Sequence, residues 1–461
     1  MRKVYLNRLN FILGPALFII IQYLPMEGLS AEGKAVLAST VWVAYWWISE
    51  AVELPVASIL PIILFPLAGA LTIEQTATSY GNPYIYLFLG GFIIGLAIEK
   101  WDLHKRIAYK IIHMVGTSEK KVMLGFMVAT AFLSMWISNS ASSIMMLPIG
   151  VSVAAHFGNN DFFAKRLMLG IAYAASIGGM ATLIGTPPNI ILAGVIKESM
   201  GIEISFVDWM LFATPFSVIL LIVAWLYLSR NIQSTSATQA FTPVDLGKMT
   251  TPEKRVSMVF ALVAFLWITR TFIWNKFIPA MDDTIVALFG ALLLFVIPSG
   301  KDSRNLMDWK TARKLPWDVL LIFGAGLAIA KGFSQTDLTE WLAGNFLGLN
   351  FLPVAILMLI IIASINFLTE ITSNTATASI TLPLLFSLSI SLDMETLPLL
   401  AGATLAASCA FMLPVATPPN AIVFSSGKLK IGDMIRTGFL LNLFSIILIF
   451  LFVQLFWKVV F

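Results

Sequence analysis

Two polar strings interrupt the apolar sequence of this chain, and each occurs twice. Ser138-Asn139-Ser140-Ala141-Ser142, followed by Leu147-Pro148, returns 235 positions later as Ser373-Asn374-Thr375-Ala376-Thr377, followed at the same distance by Leu382-Pro383. Thr186-Pro187-Pro188-Asn189 returns as Thr417-Pro418-Pro419-Asn420, and Gly95-Leu96-Ala97-Ile98 returns as Gly326-Leu327-Ala328-Ile329, both at a spacing of 231. Three elements in one order at near-constant spacing indicate an internal duplication. Lipid cannot satisfy free backbone N–H and C=O groups, so polar, Pro-rich breaks persist in a membrane only where they line a cavity or are covered by protein. The fold must therefore gather them inside, and they are the first candidates for a binding site.

The membrane setting follows from composition, with 58% hydrophobic and 12% charged residues and a mean hydropathy of +0.88. A soluble domain carries about twice that charge. Apolar runs of ~20 residues, enough for ~30 Å of hydrocarbon as helix, recur throughout. The expected fold class is an all-α polytopic membrane protein. The formal charge of +4 is assigned to cytoplasmic loops, and no basic stripe with interleaved aromatics suggests a nucleic-acid partner. Cys409 is the only cysteine, which excludes an intrachain disulfide and a thiolate metal site. Arg2, Lys3 and Arg8 precede the apolar run from Phe11 to Leu24 without a small-residue cleavage pattern, so this reads as an uncleaved first span.

Lys and Arg near span ends mark the cytoplasmic side. On that rule the N-terminus lies inside, and spans at 9–25, 35–50, 54–71 and 84–99 lead to a basic loop with Lys100, Lys105, Arg106, Lys110, Lys120 and Lys121. The segment 122–157 begins and ends beside basic clusters, the second being Lys165-Arg166. A re-entrant hairpin from the cytoplasm with its tip at Ser138-Asn139-Ser140 fits this. A span at 167–200, broken at Gly185 to Asn189, and another at 209–229 complete the first half. The second half has spans at 256–274, 283–298 and 316–331, a hairpin at 351–390 that opens outside, a span at 397–427 broken at Ala416 to Asn420, and a last span at 437–457. The expected division is an N-terminal span and external loop (1–34), a first repeat (35–229), a cytoplasmic linker (230–255) and an inverted second repeat (256–461). The sum is an inverted-repeat secondary transporter with eleven spans, two opposed re-entrant hairpins and an external C-terminus.

At a hairpin tip one helix presents free N–H groups and the other free C=O groups. The N–H ends attract a carboxylate, whereas carbonyl, Ser, Thr and Asn oxygens suit a hard monovalent cation. An Asn can face a cation with its oxygen and an anion with its NH2. A single Ser-Asn-Thr string is common as helix capping, and a lone Thr-Pro-Pro-Asn as a helix start; duplication in matching places is what points to a site. His104, His113 and His156 fall in or beside cytoplasmic segments and read as solvated. Glu50 and Glu53 read as interfacial or helix-end groups. Glu370 is the carboxylate nearest a tip; Met135 stands at its place in the first half. It reads as a structural hydrogen-bonding group.

These strings closely resemble the divalent anion–sodium symporter family, which includes Na+-coupled dicarboxylate and citrate carriers, over nearly the whole chain. The resemblance implies a first Na+ site at Ser134, Ser138, Asn139 and the carbonyl of Gly185, and a second at Thr369, Ser373, Asn374 and the carbonyl of Ala416. It places substrate carboxylates between Asn139 and Ser140 on one side and Asn374 and Thr375 on the other, with Thr186, Thr417 and Pro418 lining the pocket. Ser140 departs from the family's usual Thr, keeping the hydroxyl and losing a methyl. The resemblance further implies a homodimer in a bacterial inner membrane, whose hairpin-bearing part moves as an elevator against a scaffold of spans 1–3 and 7–8. The expected function is Na+-coupled symport of a C4-dicarboxylate such as succinate. Citrate, sulfate or phosphate, and proton coupling, are the alternatives. An intramembrane hydrolase with Ser138 or Ser373 as nucleophile lacks a base, because no His lies in a span. A passive channel needs neither a second cation site nor inverted hairpins.

Overall fold

In a chain this apolar, prolines and polar caps decide where helices stop. The computed structural model describes residues 2–116, 118–157, 161–232, 246–300, 304–346 and 352–460. Residues 233–245 of the expected linker, Lys301, residues 347–350 before the second hairpin, and Phe351 of that hairpin lie outside them. Among the described residues the chain is helical, with no strand.

Helices α1 (Arg2–Tyr23) and α2 (Ala31–Ser49) open the chain. The expected third span is instead two short helices, α3 (Leu54–Ala57) and α4 (Leu60–Leu67), each with proline in its first turn. Proline starts a helix readily but cannot donate within one, so Pro55 and Pro61 divide the segment. The expected loop 72–83 contains α5 (Ile73–Tyr80), started by a Thr72/Gln75 capping box. Helix α6 (Pro83–Lys100) follows. The expected basic loop is mostly a helix, α7 (Leu103–Val115). It buries His104, whose Nδ1 lies 3.3 Å from the Ile98 carbonyl, so this histidine is not solvated as expected.

The first hairpin is α8 (Glu119–Ser134) and α9 (Asn139–His156). After it come α10 (Asp161–Met180), α11 (Pro187–Met200) and α12 (Phe206–Ser229). The second half runs through α13 (Thr251–Thr269), α14 (Asp283–Val296), α15 (Trp309–Ala312), α16 (Trp317–Gln335) and α17 (Leu338–Phe346). Its hairpin is α18 (Val354–Leu368) and α19 (Asn374–Ser391), followed by α20 (Thr396–Ser408), α21 (Pro418–Phe424) and α22 (Ile431–Val460). Both breaks lie earlier than expected, at residues 181–186 and 409–417. Each Thr-Pro-Pro-Asn string forms the first turn after the gap, because proline at N1 leaves no donor unsatisfied.

Among the described residues, four helical stretches are long and apolar enough to cross a bilayer by length and composition: Ile73–Lys100, Phe206–Ser229, Trp317–Gln335 and Ile431–Trp457. Shorter apolar helices include Val354–Leu368 and Thr396–Ser408. A large apolar core joins α6 and α14 to the first hairpin, α10–α12 and α20–α22. A smaller one joins α2–α4 to α16 and to Ala376 of α19. The duplicated hairpin and broken-helix pairs thus pack against one another, and their polar interruptions are enclosed by apolar helices.

Candidate functional site

Both hairpin tips and both helix breaks open onto one cavity of about 770 Å³. All seven residues expected to contact substrate line it: Asn139, Ser140 and Thr186 from the first half, and Asn374, Thr375, Thr417 and Pro418 from the second. Of the residues expected to hold cations, Ser138, Gly185, Ser373 and Ala416 also line it. Ser134 and Thr369 do not. They are fully buried behind the tips, each at the end of the hairpin's first arm.

Those two hydroxyls organise matching oxygen clusters. Ser134 Oγ lies 2.6 Å from Asn139 Oδ1 and 2.7 Å from the Ala175 carbonyl. Thr369 Oγ1 lies 2.7 Å from Asn374 Oδ1 and 2.8 Å from the Ala407 carbonyl. A hydroxyl carries one hydrogen, so each cluster holds one more acceptor than a single donor can serve. At Asn139 the excess is larger, because the same amide atom also lies 3.3 Å from the Gly185 carbonyl and 3.1 Å from that of Ala175. Two arrangements relieve it. The amide can rotate so that its NH2 donates to these oxygens, or a monovalent cation can sit among them. Hard cations take oxygen ligands of this kind. Among the described residues no group of three His, Cys, Asp or Glu is placed to hold a metal ion.

The opposite face of each tip is a helix start. Ser138 caps α9 by accepting from the Ala141 N–H at 3.3 Å, and Ser373 stands at the same position before α19. The first N–H groups of a helix have no intrahelical acceptor, so both helices aim donors at the cavity with the positive end of the dipole behind them. Thr186 precedes α11 without making a side-chain cap, which leaves its hydroxyl to the cavity. Glu50, Glu99, Lys314 and Asp318 also line the cavity, and among the described residues Lys314 is the one Lys or Arg that does so. Glu50 ends α2 in a left-handed conformation, φ 48°.

The structure adds residues to which no role had been given. Asn189 Nδ2 donates across the first break to the carbonyls of Gly179 (3.1 Å), Met180 (3.2 Å) and Thr182 (2.7 Å). Asn420 Nδ2 does the same across the second, to Ala410 (3.2 Å) and Leu413 (3.0 Å). These asparagines belong to the repeated strings, so the repeat itself was the signal. The Ala175 and Ala407 carbonyls carry no such signal, since a backbone group leaves no trace in residue type.

The family described as the sodium:sulfate symporter transmembrane region matches residues 7–461. The chain belongs to this family. It is an integral membrane protein whose relatives are transporters, not enzymes. The sodium-dependent dicarboxylate transporter SdcS of Staphylococcus aureus (strain bovine RF122 / ET3-1) is 44% identical over 96% of this chain and 90% of its own length. The SdcS protein of strain USA300 is 43% identical over the same shares. Two solved transporter structures share the fold at low identity. The Alcanivorax borkumensis YdaH transporter aligns with a TM-score of 0.58 and 14% identity, over 86% of this symporter-family chain and 88% of its own. Neisseria gonorrhoeae MtrF aligns with a TM-score of 0.60 and 12% identity, over 95% and 96%.

Proposed function

We propose that this chain is a Na+-coupled symporter of C4-dicarboxylates such as succinate. The observation that carries the reading is the convergence of four duplicated breaks on one cavity, with an oxygen cluster behind each tip. Na+ occupies the first cluster with Ser134, Ser138, Asn139 and the Gly185 carbonyl, and the second with Thr369, Ser373, Asn374 and the Ala416 carbonyl. The substrate bridges the starts of α9 and α19, one carboxylate at Asn139 and Ser140 and the other at Asn374 and Thr375. Thr186, Thr417 and Pro418 close the sides. Two anion-attracting helix starts on separate hairpins favour a dianion with two separated charges over a compact one such as sulfate. Placing cations beside the carboxylates offsets the desolvation of both.

The same reading keeps the eleven spans, the two opposed hairpins and the division into inverted repeats at 35–229 and 256–461. The N-terminus is cytoplasmic and the C-terminus external, in a bacterial inner membrane. Lys314 lies just before α16 and Glu99 lies beside Lys100 at the end of α6; the positive-inside rule assigns both places to the cytoplasmic side, so the cavity opens inward. Transport then requires the hairpin-bearing part to move against the scaffold as an elevator, within a homodimer. A competition panel tests the substrate: unlabelled succinate, citrate, sulfate and phosphate are added in excess to purified protein in liposomes taking up labelled succinate. Succinate is expected to compete at the lowest concentration. Stronger competition by sulfate contradicts the assignment.

A further inference from the structure

Glu370 has surroundings without parallel in the first half. Its side chain is buried, and Oε1 accepts from Phe411 N (2.7 Å), Met412 N (2.9 Å) and Asn442 Nδ2 (2.7 Å), while Oε2 accepts from Leu413 N (3.0 Å). Four donors converge on this carboxylate. An ionised carboxylate only accepts, whereas a protonated acid must also place its own O–H, so the pattern suits the charged form.

The three backbone donors are consecutive, and they lie in the non-helical stretch between the end of α20 at Ser408 and the start of α21 at Pro418. Buried backbone N–H groups need acceptors, and Glu370 supplies all three. Helix α22 closes the turn from the other side. A Cβ on Gly438 would fall 2.1 Å from the Phe411 carbonyl oxygen, and Asn442, one helical turn further on, gives the fourth donor. The chain then runs through Pro414 and Val415 to Ala416 and Thr417 at the cavity. On the hairpin side, Glu370 adjoins Thr369, whose hydroxyl meets Asn374 and the Ala407 carbonyl. One carboxylate therefore joins the two segments that flank the second oxygen cluster. In the first half Met135 stands in its place, and the tie is neutral: Thr182 Oγ1 donates to the Met135 carbonyl at 2.5 Å.

We infer that Glu370 is a positioning residue for the second cation: it clamps the tip of the second hairpin to the 411–413 turn and sets the spacing of the Thr369 hydroxyl, the Asn374 amide and the Ala416 carbonyl. The inference rests on the Na+-symport reading.

The test is initial succinate uptake against Na+ concentration in liposomes, with wild type measured first. Glu370→Gln keeps the shape but turns an NH2 toward a donor and removes the charge. The half-saturating Na+ concentration is expected to rise by about fivefold or more, whereas the succinate KM at saturating Na+ shifts by less than about twofold, as loss of one charge-assisted contact predicts. Asn442→Ala removes the donor from α22 and is expected to raise the half-saturating Na+ concentration about threefold, the size of one hydrogen bond. Asn442→Ala decides the matter if Glu370→Gln does not fold. Variants that purify monodisperse and keep the wild-type Na+ curve overturn the positioning role, even where their thermal stability falls. A wild-type protein indifferent to Na+ overturns the symport reading instead, so the two failures are distinct.

Discussion

Behind the first tip there is no room for a methyl group: a Cβ on Gly179 would lie 2.4 Å from Asn139 Oδ1, and one on Gly185 would lie 2.4 Å from the Gly179 carbonyl oxygen. Behind the second tip the corresponding positions are Ala410 and Ala416, so that half tolerates the methyl groups the first cannot. It has Glu370 and its four donors where the first half has Met135. The oxygen clusters match to within 0.1 Å at the hydroxyl, 2.6 and 2.7 Å against 2.7 and 2.8 Å. Duplication has thus kept the oxygens and let their supports diverge. The first pocket should be sensitive to volume and the second to charge.

The largest effects should strike both halves alike. Asn139→Ala and Asn374→Ala each remove a side-chain amide shared between a cluster and the cavity, and each is expected to reduce uptake by about two orders of magnitude or more. Surface expression and a monodisperse elution profile should stay normal. Near-normal uptake by either variant would make the halves unequal in the one respect where they look identical.

Volume should separate them next. Gly179→Ala forces the Asn139 amide aside and is expected to weaken Na+ dependence about tenfold, comparable to overpacking a filled core. Ala410→Gly, the reciprocal change, should alter Na+ dependence by less than about twofold, since its effect is limited to backbone entropy. Equal effects on the Na+ titration would erase the proposed difference.

Stability should fall by a smaller amount, and equally, when the clamps across the breaks are removed. Asn189→Leu and Asn420→Leu strand buried carbonyls, and each is expected to cost about 1–3 kcal/mol in detergent unfolding. The smallest effect belongs to the ion pair between Lys165 and Asp433, 2.9 Å apart, which ties α10 to α22 at the surface. Lys165 is the main reason the Asp433 carboxyl is held below the usual carboxylate range. Its contribution is therefore present above the unfolded carboxylate pKa and lost as pH falls through the lower folded value. Because both partners are about one-third exposed, Lys165→Ala should cost less than about 1 kcal/mol at neutral pH. Acid unfolding curves of this variant should converge with wild type at low pH.

How far the sequence could be read follows from which groups leave a mark on it. Polar side chains in apolar surroundings do, and every one of the expected substrate-contact residues lines the cavity. Family membership was legible for the same reason, because the repeated strings carry it. Helix ends set by proline were harder to place. Thr-Pro-Pro-Asn reads as a break but forms the start of the next helix, and Pro55 and Pro61 divide a segment whose hydropathy suggests one span. The amphipathic helix α7 was hidden by its charges, which mark a cytoplasmic loop equally well. Contacts made by backbone could not be read at all. The carbonyls of Ala175 and Ala407, and the N–H groups of 411–413 that meet Glu370, depend on where a helix stops in space.

The central claim is that both oxygen clusters hold Na+ while the cavity holds a dicarboxylate. Its most direct test is initial uptake of labelled succinate by purified wild-type protein in liposomes, with an inward Na+ gradient or an equal choline gradient and the pH clamped on both sides. The account predicts uptake with Na+ that rises more steeply than first order in Na+ concentration, and almost none with choline. Uptake that ignores Na+ and follows an imposed pH gradient would contradict it.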